Sequence, residues 1–108
     1  MKLKSISSSI TATAVLNLKE QPAKIYIHGS VLTEREDDKV KFEIAEFQGI
    51  NPTILLCDLH VISGKLPMKV SPKLFNGEYD DSHALDIKEV TIRKEGEDDY
   101  TIPLHTIG

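Results

Sequence analysis

A chain of 108 residues, 40% hydrophobic and 28% charged, has enough apolar side chain for one core without a metal or disulfide staple. That excludes disorder over the whole chain and points to a single domain spanning 1–108. A net charge of -4 argues against a nucleic-acid partner, because phosphate binding needs a basic surface. No stretch reaches the roughly 18 apolar residues of a membrane span, which argues against a membrane partner.

The charge is unevenly spread. Residues 1–24 sum to +3, whereas residues 76–108 hold nine acidic and three basic groups, giving -6. The opening Met-Lys-Leu-Lys is followed by a segment far too polar for a signal peptide. The one cysteine, Cys57, can form no internal disulfide, and this favours a cytoplasmic location.

Ile10, Ala12, Ala14, Leu16 and Leu18 alternate with Thr11, Thr13, Val15 and Asn17, a period of two that predicts a strand with one buried face. Gln21-Pro22 ends it. A second strand over 24–33 sets Ile25, Ile27 and Val31 against Tyr26, His28 and Ser30, and Gly29 inside it implies a bulge or a close backbone approach. After an acidic turn at 34–38, Val40, Phe42 and Ile44 alternate with charged neighbours, the mark of a hairpin strand with one wet face. Phe47 falls out of that phase, so a bulge is expected near Ala45-Glu46.

Residues 53–63 form the longest apolar run, bounded by Asn51-Pro52 and Gly64, and predict the central buried strand. Leu55, Cys57, Leu59 and Val61 make a wholly apolar face. Asp58 and His60 punctuate the other. Leu66, Met68 and Val70 alternate next, but Pro67 and Pro72 lack donors and confine this piece to a sheet edge. From Ser71 to His83 no period is visible, and Asn76-Gly77 signals a turn. A short helix at Ser82, a strand from Glu89, an acidic turn at 95–99 and a last edge strand carrying Pro103 complete the chain.

About seven short strands joined by turns predict an all-β protein: first an antiparallel β-sandwich, second a small five- or six-strand β-barrel. Three turns hold paired aspartates (Asp37-Asp38, Asp80-Asp81 and Asp98-Asp99) and would bind Ca²⁺ only if two of them converged. His28, Asp58 and His60 share a strand face and form a Zn-type ligand set if their strands are neighbours. Cys57 points the other way, into the core, where burial leaves a thiol inert. No serine elbow, phosphate loop or HExxH is present.

The remaining feature is residues 65–75, with Lys65, Lys69 and Lys73 at intervals of four and Met68 and Phe75 as apolar anchors. Lysines on an edge strand also serve simply to block aggregation. The expectation is therefore a non-enzymatic protein-binding or interaction module, without cofactor, that contacts a protein partner or itself. Its interaction residues would be Lys65, Met68, Lys69, Lys73 and Phe75, with Tyr26, Asp58 and His60 on a second face. A metal-binding domain and a small hydrolase or isomerase with a shallow site at His60 are the alternatives.

Overall fold

A computed structural model describes residues 9–108. The expected all-β fold is present, with seven strands: β1 (Ile10–Asn17), β2 (Lys24–Thr33), β3 (Lys39–Ile44), β4 (Ile54–Ile62), β5 (Ser71–Tyr79), β6 (Glu89–Lys94) and β7 (Tyr100–Ile107). A single 3-10 turn at Ser82–Asp86 lies between β5 and β6 and is capped by the Asp81 side chain, which accepts from the His83 N–H.

The strands form one sheet in the order β3-β4-β6-β7-β1-β2-β5. The sheet is mixed rather than antiparallel throughout, because β4 runs parallel to β6 and β1 parallel to β7. It folds over on itself, so the sandwich and barrel expectations meet in one object. Strand β7 is the joint. Its first half pairs with β6, up to Pro103 opposite Glu89, and its second half pairs with β1 from Leu104 onward. Pro103 therefore lies at the changeover and not at a sheet edge, one residue before the β1 ladder begins.

The two outer strands, β3 and β5, face each other across the remaining seam. The ring of Phe42 on β3 stacks on that of Phe75 on β5, with centroids 4.9 Å apart and planes at 26°. Gly77 leaves room for this contact, since a Cβ there would sit 2.6 Å from the Phe42 ring. Strand β5 was not visible as a period because this glycine belongs inside the strand, not in a turn. Gly29 is likewise a close approach: its Cβ would lie 2.3 Å from the Thr11 carbonyl oxygen.

Alternation holds on the inward face. Ile10, Ala14, Leu16, Ile25, Ile27, Val31, Leu55, Cys57, Leu59, Phe75, Val90, Ile92 and Ile102 fill the interior, and Ala84 and Ile87 close one end. Burial pushes the Cys57 thiol up to about 12, as expected of a core cysteine. Strand direction then sorts the connections into two poles. Turns 34–38, 63–70 and 95–99 lie at one; loops 18–23, 45–53 and 80–88 lie at the other.

Candidate functional site

At the first pole, loop 63–70 is stitched to turn 34–38. Asp38 accepts from the backbone N–H groups of Gly64 (2.6 Å) and Arg35 (2.9 Å). Asp37 accepts from those of Lys65 (2.7 Å) and Leu66 (3.2 Å). The Lys69 N–H donates to the Glu34 carbonyl at 2.6 Å, and the Thr33 hydroxyl donates to the Ser71 carbonyl at 3.0 Å. Backbone donors from Lys65 and then Leu66 hold the Asp37 carboxyl below the usual carboxylate range. The Gly64 and Arg35 donors do the same for Asp38. Residues 65–70 are thus a latched loop rather than the expected edge strand: the Lys65 and Leu66 donors go to the Asp37 carboxylate and the Lys69 donor to the carbonyl of Glu34 in the turn.

The latch decides what the candidate residues do. Met68 is 65% exposed, and Lys65 and Lys69 are exposed beside it. Lys69 pairs with Glu36 at 3.1 Å, and the Lys73 ammonium is turned back to the Glu36 carbonyl. Phe75 is buried against Phe42 and is not a surface anchor. Its neighbour Leu74 points outward instead, 86% exposed. Leu74 shares the outer face of β5 and β2 with Pro72 and Leu32, which stands opposite Pro72. The loop carrying Leu66, Met68 and Val70, all exposed, runs straight into that strand.

Tyr26, Asp58 and His60 are not one surface. Tyr26 is on β2 and the other two are on β4, with β6, β7 and β1 between them. The Tyr26 hydroxyl donates to Glu20, which raises its pKa, and the Lys24 ammonium lies 5.7 Å from its ring centroid. Asp58 takes a two-pronged contact from Arg93, at 2.8 and 3.2 Å. His60 Nε2 lies 3.0 Å from Glu43. The same separation keeps His28 from Asp58 and His60; it contacts Thr13 Oγ1 at 3.1 Å instead.

Among the described residues no group of three or more His, Cys, Asp or Glu side chains converges as a metal site would require. Turns 34–38 and 95–99 do share a pole, but Asp37 and Asp38 are occupied by backbone donors. The surface also carries shallow depressions. One of about 430 Å³ lies over Gly29, between Thr13, His28 and Asn76. One of about 450 Å³ lies between Pro22, Ala23 and Leu85. The first holds the Thr13 hydroxyl 3.1 Å from His28 Nε2, on an exposed strand face. Among the described residues no helix is long and apolar enough to cross a membrane.

In sequence Leu74 lies within the 65–75 contact stretch without being an anchor, and Leu32, Phe47 and Ile50 are not singled out as binding residues, the last two in loop 45–53 at the opposite pole. Phe47 is 83% exposed and Ile50 wholly so. The signal for Phe47 was its loss of phase after Ile44; the strand ends there, without the bulge expected at Ala45-Glu46. In class this is an all-β protein with a nearly closed seven-strand sheet and exposed aliphatic surfaces at its ends. No family model, curated protein or solved structure matches the chain.

Proposed function

We propose that this protein is a non-enzymatic binding module that contacts a protein partner through loop 63–70 and the adjoining outer face of β5. One observation carries this reading. Leu66, Met68 and Val70 stand exposed on a loop held by Asp37, Asp38 and the Glu34 carbonyl, next to Leu74 exposed on the β5 ladder. Apolar side chains on a flexible loop would lose affinity to ordering, whereas a pinned loop presents them already placed. Lys65 and Lys69 at the rim favour a partner with acidic groups around an apolar centre. The sealed thiol of Cys57, and a His60 that faces the Glu43 carboxylate on an open strand face, support binding over catalysis.

The test is affinity purification of the protein and of a Met68→Ala/Leu74→Ala variant from the cells that make it, scored by quantitative mass spectrometry. Both positions are exposed, so the variant keeps its thermal stability and loses its partners. An unchanged partner set with both side chains gone would remove this surface from consideration.

A further inference from the structure

Loop 45–53 holds its two exposed apolar side chains as firmly as the latch holds Met68. The Gln48 carboxamide behaves like a short piece of strand. Its Nε2 donates to the carbonyls of Ala45 (2.8 Å) and Leu56 (3.0 Å), and its Oε1 accepts from the Leu56 N–H (2.8 Å). Asn51 Oδ1 accepts from both the N–H and the hydroxyl of Thr53, at 2.9 and 2.7 Å. Phe47, just before the first of these fixed points, and Ile50, between them, project into water. Exposing a phenyl ring and a butyl group on an ordered loop is unfavourable unless something covers them. The only charged residue in the loop is Glu46, which has no ion-pair partner among the described residues.

We propose that this knob docks head to tail on the Leu66-Met68-Val70-Leu74 patch of a second copy of the chain. The proposal rests on the binding surface assigned above and names its partner. Charge selects the arrangement. Lys65, at the rim of the patch, has an ammonium without an ion-pair partner among the described residues, while Glu34 and Glu36 nearby already face Arg35 and Lys69. Knob on patch brings Glu46 toward Lys65. Knob on knob would oppose two glutamates, and patch on patch two lysines, so both symmetric arrangements are disfavoured. The two surfaces lie at opposite poles of the β3–β4 pair, since Ile44 and Ile54 are at one end and Lys39 and Ile62 at the other. Each contact therefore leaves a free knob and a free patch, and the assembly propagates as a ring or filament.

Sedimentation velocity of the full chain, from micromolar to about millimolar concentration, tests this. The expected result is an average mass that climbs with concentration beyond the dimer. Phe47→Ala/Ile50→Ala and Met68→Ala/Leu74→Ala each weaken association about tenfold or more. Mixed together, the two variants form a one-to-one pair that grows no further, because one retains only the patch and the other only the knob. Glu46→Lys weakens association without removing apolar surface, and Glu46→Lys with Lys65→Glu restores it. A protein that stays monomeric at every concentration overturns the inference but not the binding surface, which the purification experiment tests separately. A dimer abolished by the patch variant and indifferent to the knob variant overturns it too, in favour of a symmetric contact.

Discussion

Gly64 shows how one missing side chain can hold a loop. A Cβ at this position would lie 2.0 Å from Asp37 Oδ1, so Gly64→Ala must push the carboxylate off the amides of Lys65 and Leu66. The expected cost in chemical denaturation is about 1–2 kcal/mol, for the hydrogen bonds that the displaced carboxylate gives up. Asp37→Ala attacks the same bonds from the acceptor side. It should speed hydrogen exchange at the Lys65 and Leu66 amides while leaving the β4 amides protected. The pH dependence has a definite sign. Asp37 and Asp38 titrate lower folded than unfolded. Their contribution is therefore complete above the ordinary carboxylate value of about 3.9 and is lost as pH falls through the lower folded values. Exchange at Gly64, Lys65 and Leu66 should rise in that acid window ahead of the rest of the sheet. An acid transition that is uniform over all strands would show that the latch is not a local unit.

Elements were legible where a period of two survived without interruption. Strands β1, β2, β3 and β4 announced themselves through Ile10 to Leu16, Ile25 to Val31, Val40 to Ile44 and Leu55 to Val61. Strand β5 did not, because Gly77 imitates a turn in sequence while serving as the floor beneath Phe42 in space. With no period over 71–83, nothing local tells which of the neighbours Leu74 and Phe75 faces inward, and Phe75 is expected on the surface where Leu74 stands. Residues 65–70 erred in the opposite direction: their alternation is genuine, but the partners of their backbone donors lie some thirty residues back in the chain, a distance no local pattern records. Two substitutions test these elements. Gly77→Ala should destabilise by about 1–3 kcal/mol, because its Cβ would strike the Phe42 ring. Gln48→Ala removes three bonds to the backbone of Ala45 and Leu56 and should cost about 1–2 kcal/mol. Equilibrium urea titrations read both.

For the whole molecule, connectivity was the part that sequence could not supply. The pairing of β4 with β6 and of β1 with β7 is parallel and joins segments far apart in the chain, so it depends on crossovers rather than on turn residues. The separation of Tyr26 and His28 from Asp58 and His60 follows from that order alone. The placing of the two exposed apolar surfaces at opposite poles needs less, because loops 45–53 and 63–70 flank the single strand β4.

The shared strand β7 also has a mechanical meaning. Strand β1 begins at the pole of the latch and β7 ends at the other, the two side by side and parallel from Ala14 and Leu104 to Asn17 and Ile107. Tension applied at Ser9 and Gly108 pulls these neighbours lengthwise past each other, loading their hydrogen bonds together in shear. Tension applied at Glu46 and Thr53, at one end of the antiparallel β3–β4 pair, peels bonds singly. Force spectroscopy should accordingly find much slower unfolding, at equal load, through the first pair of attachment points than through the second. Subunits joined pole to pole would pass tension along that resistant direction.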